Sequence, residues 1–189
     1  MHFEKGMMYH VYNQGNNRRQ VFFEDRHYLY FLTKMRRYLL PYVDFLSWCL
    51  MPNHFHWQVC PHTLEVPLRI LSSKIYSNRL VPLNEAIGIL LRTYTRMLNK
   101  EKNWTGSVFR KETKAKDGFV EGFITVDTKG WDTFDYDIQC FHYIHQNAPK
   151  AGLVKRPEDW KYCSAPDYAG LRNGSLVNKK LARHWGLIT

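Results

Sequence analysis

Val43-Asp44-Phe45-Leu46-Ser47-Trp48-Cys49-Leu50-Met51-Pro52-Asn53-His54-Phe55-His56-Trp57-Gln58-Val59-Cys60 is the stretch from which the fold is read. Two runs rich in aromatic and aliphatic residues, Val43–Leu50 and His54–Cys60, flank Met51-Pro52-Asn53, whose proline and asparagine favour a turn. They read as a β-hairpin, with His54 and His56 at the start of its second strand, near a sheet edge and close to solvent. Strand residues two apart project from one face, with Cα atoms roughly 6.5–7 Å apart. Two imidazoles can therefore reach one metal ion while Phe55 points into a core. Nine histidines among 189 residues give about 0.4 chance occurrences of His-x-His. The spacing alone thus carries little, and an exposed or hydrogen-bonded pair is the ordinary alternative.

Outward from the hairpin, Met7–Tyr12 is apolar and β-prone, and Asn13-Gln14-Gly15-Asn16-Asn17 has the chemistry of a turn that ends it. From Asp25, apolar residues at Tyr28, Phe31, Leu32, Met35 and Leu39 follow a helical period that Pro41 stops. Leu64–Lys102 reads as mostly helical, with Ile87, Leu90, Leu91, Tyr94 and Leu98 on one face. Gly106–Lys111 and Phe119–Val126 are predicted strands, joined by a basic, turn-forming bridge over Lys111–Gly118. A last helix is predicted over Asp132–Gln146, ended by Asn147-Ala148-Pro149. Interleaved strands and helices with at least one hairpin predict an α+β fold. Residues 1–150 are expected to form one domain, with 151–189 a tail packed on it through Trp160, Tyr162, Tyr168 and Trp185.

Lys and Arg exceed Asp and Glu by 27 to 17, a net charge of +10 with no block of five or six like charges. Such an excess favours a polyanionic partner, nucleic acid first. Aromatic residues make up 15% of the chain, enough to fill a core and leave some for stacking on unpaired bases. The four cysteines form no Cys-x-x-Cys pair, which speaks against a zinc knuckle or redox motif. No eighteen apolar residues run together and no signal-peptide core opens the chain, so no membrane span is expected and a cytoplasmic, nucleoid-associated location is.

On the last predicted helix, Phe134, Ile138, Phe141 and His145 form one stripe, read as the core contact. Tyr143 and Asn147 fall nearly opposite, neighbours at i and i+4, where a phenol stands beside an amide oxygen able to ligate a hard cation. The same Tyr-x-x-x-Asn spacing at Tyr9/Asn13 and Tyr12/Asn16 lies on or beside a strand, where four residues span roughly 13 Å. Arg18, Arg19, Arg110, Lys111, Lys114 and Lys116 flank turns near predicted strand ends and are candidate phosphate contacts. His10 reads as structural, His62 as loop surface and His145 as core.

Several of these segments together carry a family likeness. The chain resembles the HUH single-tyrosine transposases, and within them the REP-associated tyrosine transposases. The resemblance rests on Tyr9-His10-Val11-Tyr12-Asn13-Gln14-Gly15-Asn16-Asn17, Met51-Pro52-Asn53-His54-Phe55-His56 and Tyr94-Thr95-Arg96, then on Gly106-Ser107-Val108-Phe109, Tyr143-Ile144-His145-Gln146-Asn147 and Lys150-Ala151-Gly152-Leu153-Val154. It departs where Asn147-Ala148-Pro149-Lys150 replaces the usual Asn-Pro-hydrophobic-basic run, and where Arg110-Lys111-Glu112-Thr113 replaces a glutamine-basic run. The resemblance implies a central antiparallel sheet flanked by helices. It implies a divalent metal held by His54, His56 and Asn147, with Tyr143 as nucleophile. The implied substrate is single-stranded DNA bearing a hairpin, nicked and joined near the hairpin's foot, by a monomer or a homodimer.

Two imidazoles and an amide oxygen are neutral, so an ion among them keeps its full charge for a phosphodiester. Mg²⁺ or Mn²⁺ accepts such a mixed shell with open positions, whereas two His and an amide are a poor zinc set. Attack by a phenol would leave a 5′-phosphotyrosyl link that a second DNA hydroxyl can reverse. The rival readings are a non-cleaving nucleic-acid-binding protein on the same scaffold, and a metal-dependent phosphodiesterase in which water attacks.

Overall fold

The computed structural model describes residues 2–71, 79–116 and 133–188. In chain order the strands are β1 (Tyr9–Gln14), β2 (Val43–Met51), β3 (His54–Pro61), β4 (Glu65–Pro67), β5 (Leu80–Pro82) and β6 (Lys114–Lys116). The helices are α1 (Asp25–Tyr38), α2 (Leu68–Leu71), α3 (Leu83–Lys102), α4 (Thr133–Lys150), α5 (Ala165–Tyr168) and α6 (Lys179–His184). Four strands make an antiparallel sheet in the order β2-β3-β1-β6, while β4 and β5 pair separately. The fold is α+β, as the sequence leads one to expect.

The hairpin forms where it is predicted, but its second strand is not at an edge. β3 lies between β2 and β1, so the histidine pair is carried by an interior strand and sits at that strand's end. Residues opposite each other in an antiparallel ladder share a face, which makes β3 two-sided. Phe55, Trp57 and Val59 face α1 and α3 in a buried aromatic core, with the Phe31 ring 5.5 Å from Phe55 and 5.1 Å from Tyr94. Ile87, Leu90, Leu91, Tyr94 and Leu98 are all buried there, matching the helical period of the sequence. His54, His56 and Gln58 face the other way, where Gln58 Nε2 donates to the Asp137 carbonyl of α4 at 2.9 Å. The starting turn of α1 is fixed by Glu24 and His27 acting as a capping box, with His27 Nε2 3.0 Å from Glu101.

Elsewhere the structure departs from the sequence reading. β1 starts later and runs on through Asn13 and Gln14, because both edges of that strand find partners. Leu64–Lys102 is interrupted by the β4–β5 pair and is not one helical stretch. Gly106–Lys111 forms no strand beyond a single bridge of Phe109 to Gly15; the strand lies instead at Lys114–Lys116, inside the predicted turn-forming bridge. Phe119–Val126 lies outside the described residues. α4 continues past Asn147 to Lys150, with Pro149 in its last turn. There Gly152 (φ +70°) closes a Schellman cap through Leu153 N–H to Ala148 O and Gly152 N–H to Pro149 O.

Residues 160–164 run along the outer side of β2: Trp160 Nε1 donates to Leu50 O, Leu50 N–H to Tyr162 O, and Ser164 N–H to Trp48 O. An otherwise open sheet edge is thereby covered. Tyr162 stacks on Tyr28 at 3.6 Å, so it serves packing. The buried Asp167 carboxylate takes a two-point bond from Arg172, at 2.7 Å to each oxygen, and one from Gly174 N–H. No helix among the described residues is long and apolar enough to cross a membrane.

Candidate active site

α4 lies across the His54/His56 face of the sheet and is covered on two sides. Tyr136, Cys140, Ile144 and Ala148 pack on Cys49, Met51 and Cys163, while Phe141 and His145 pack on the C-terminal segment through Tyr168 and Leu187. The stripe through Ile138, Phe141 and His145 is covered by the sheet residues Leu46 and Cys60 together with the tail; the Phe134 side chain lies outside the described residues. Tyr143 does not stand opposite the core. It turns toward the sheet, half-buried, with its ring centroid 5.3 Å from that of His56.

His54, His56 and Tyr143 share one cavity of about 200 Å³ with Tyr12, Asn13, Gln14, Phe55, Arg110, Glu112 and Lys114. His54 Nδ1 lies 2.5 Å from Asn53 Oδ1. An amide oxygen only accepts, so the proton sits on Nδ1 and Nε2 of His54 is left with its lone pair. His56 Nδ1 lies 2.8 Å from His10 Nε2, both rings being buried. Burial pushes the His54 ring toward the neutral form, with the Asn147 amide offsetting part of this by a hydrogen bond. Burial, then the nearby His10 and His54 rings, push His56 further the same way. Neutral imidazole is the form a metal takes.

Asn147 reaches this pair from one turn beyond Tyr143. Its Nδ2 donates to the Tyr143 carbonyl at 2.8 Å, and its side chain also hydrogen-bonds the His54 ring, which turns the amide toward the histidine pair. Among the described residues no group of three or more His, Cys, Asp or Glu side chains is arranged to hold an ion. Three amides lie beside this pair: Asn147, hydrogen-bonded to His54, and Asn13 and Gln14, which line the cavity with the Glu112 carboxylate. The donor set fits a hard or intermediate divalent ion better than zinc.

Tyr143's hydroxyl is held above the ordinary phenol range, first by burial and then by the Cys140 thiol and Tyr12; Asn147 acts in the opposite direction. The Lys150 ammonium stands over its ring at 5.7 Å. Of the predicted phosphate contacts, Arg110 and Lys114 line the cavity. Arg18 and Arg19 lie in a segment packed on the hairpin turn, through Asn53 Nδ2 to Arg18 O and Val21 N–H to Pro52 O. The Arg19 guanidinium, however, lies 5.4 Å over the Trp104 ring. Lys111 is exposed and lies outside the cavity lining, and Lys116 pairs with His10 in register on β6. Tyr12, Asn13, Gln14 and Glu112 line the cavity, and Asn53 and His10 bond its histidines, without being predicted as site residues. Asn53 was legible as part of the hairpin turn, while Glu112 and His10 carried no signal in spacing.

The antiparallel sheet thus offers two histidines from an interior strand to a tyrosine on a later helix. Among solved structures, the chain is similar to a REP-associated tyrosine transposase bound to a REP hairpin, with 16% sequence identity, 94% of this chain and 92% of that one covered, and a TM-score of 0.56. That likeness is one of fold. No family model and no curated protein matches the sequence.

Proposed function

We propose that the protein is a metal-dependent nicking and joining transposase, acting on single-stranded, hairpin-bearing DNA through a 5′-phosphotyrosyl intermediate on Tyr143. The observation that carries this is the gathering of Tyr143, His54 and His56 at one cavity of a single chain, with Asn147 beside them. The neighbour's hairpin ligand adds support for the substrate class. A divalent ion held by His54, His56 and Asn147 would supply Lewis-acid polarisation of the scissile phosphate, a contribution of several kcal/mol.

The chain's own groups do the rest. Tyr143 oxygen attacks phosphorus, the bond from phosphorus to the 3′ oxygen breaks, and the phenol's proton leaves with the freed 3′-hydroxyl. Attack by a DNA 3′-hydroxyl on the phosphotyrosine reverses this and restores the phenol, exchanging one ester for another without ATP. An unperturbed phenol is ionised in only about one molecule in a thousand at neutral pH, and burial lowers that share for Tyr143. Attack therefore depends on the phosphate being held firmly against the hydroxyl. Arg110 and Lys114 are placed to hold the strand at the cavity.

The test is a covalent adduct. Protein incubated with Mg²⁺ or Mn²⁺ and a hairpin-bearing single strand is expected to give a DNA-linked band on a denaturing gel. Tyr143→Phe is expected to abolish it. Tyr12→Phe, at the second tyrosine of the cavity, is expected to retain it. Cleavage that persists in Tyr143→Phe would mean that water attacks, and binding without cleavage would mean a non-cleaving protein; either outcome overturns the proposal.

A further inference from the structure

We propose that His10 is a positioning residue, which accepts the Nδ1 proton of His56 and so keeps Nε2 of His56 unprotonated for the metal; this rests on the metal-binding reading above. The two ring nitrogens, His10 Nε2 and His56 Nδ1, are 2.8 Å apart. His10 is 3% exposed and His56 6%, and the two ring planes lie within 25° of each other with centroids 5.0 Å apart, an edge-to-edge arrangement that suits an N–H···N bond. One proton must lie between the two nitrogens, and it can belong to either ring. If His10 donates, the single proton of a neutral His56 sits on Nε2, where it blocks a cation. If His56 donates, Nε2 carries a lone pair.

His54 resolves the choice by comparison. Its Nδ1 faces the Asn53 amide oxygen, which only accepts, so His54 carries its proton on Nδ1. For both histidines to bind one ion alike, His56 needs the same wiring, and His10 is the acceptor that supplies it. The strand register explains the reach. Tyr12 pairs with His56 and His10 with Gln58, so His10 lies one residue pair further along the same face. Partners of this kind orient a ligand's ring, and losing one costs 10–100-fold in metal affinity.

Two readouts test the assignment. In metal-free protein labelled with ¹⁵N-histidine, long-range proton–nitrogen correlation is expected to place the His56 proton on Nδ1. In Mn²⁺ titrations followed by electron paramagnetic resonance, His10→Phe is expected to weaken binding by about 10–100-fold. His10→Gln, whose amide oxygen can accept, is expected to return affinity to within a few-fold of the unmodified protein, thermal melting confirming that both variants fold. A His56 proton found on Nε2, or unchanged Mn²⁺ affinity in folded His10→Phe, removes the role of His10 and leaves the metal site standing. Failure of the unmodified protein to bind Mn²⁺ more tightly than His54→Ala removes both. The tautomer measurement needs no variant, so it decides the matter even if His10→Phe does not fold.

Discussion

Asp137 and Tyr143 lie less than two turns apart on α4, and burial moves both toward their neutral forms. For the Asp137 carboxyl the shift is upward, to about 7, caused by desolvation. The folded state thus binds this proton more tightly than the unfolded chain, whose aspartate titrates near 3.9. Below about pH 4 both states are protonated and the group is neutral in its effect. As pH climbs from there to about 7 the unfolded chain ionises first, and stability is lost across that window. Asp137→Asn removes the ionisation. It is expected to stabilise the fold by up to about 4 kcal/mol at pH 8, about three pH units at roughly 1.36 kcal/mol each, and to change little at pH 3.5, as measured by urea denaturation at the two pH values. A variant equally stabilised at both would show that the carboxyl's charge is not what costs the wild-type fold.

α4 brings two of the proposed site residues to the sheet, and its final turn is held by Gly152 in a left-handed conformation at φ +70°. Any side chain in that region costs about 1–2 kcal/mol, although nothing lies within 4 Å of the Cβ that an alanine would add there. Gly152→Ala is therefore expected to lose about that much stability through backbone strain alone, and to speed exchange of the Leu153 amide proton, which the cap bonds to Ala148. The elements legible in the sequence were those with a strong internal period: the hairpin alternates core aromatics with polar residues, and α1 and α3 repeat every three to four. β6 was not legible, since Lys-Ala-Lys has no β character of its own and is a strand only because β1 offers it an unpaired edge. The stripe read as the core contact of α4 is buried against the sheet and the tail, but the side bearing Tyr143 packs on β2 as well, and a helix covered on two sides has no single stripe to read. His10 reads as structural in the sequence because its partner His56 lies 46 residues away, and one histidine on a strand has no period to show a pairing.

For the molecule as a whole, the net charge of +10 matters by where it lies relative to the two faces of the sheet. Arg110 and Lys114 line the cavity on the α4 side. Arg36 belongs to α1, on the opposite side, where it donates to Ser175 Oγ at 2.9 Å. Binding of a single strand releases counterions in proportion to the phosphates neutralised, with a log–log salt slope of about −0.7 per contact. If the strand crosses the cavity, Arg110→Ala and Lys114→Ala should each weaken binding and flatten that slope by about 0.7. Arg36→Ala, which removes the same charge from the far side, should leave the slope unchanged. Binding of a fluorescent hairpin-bearing strand across a salt series separates local from global electrostatics. If all three variants flatten the slope equally, the affinity reflects net charge alone and the strand does not track the cavity.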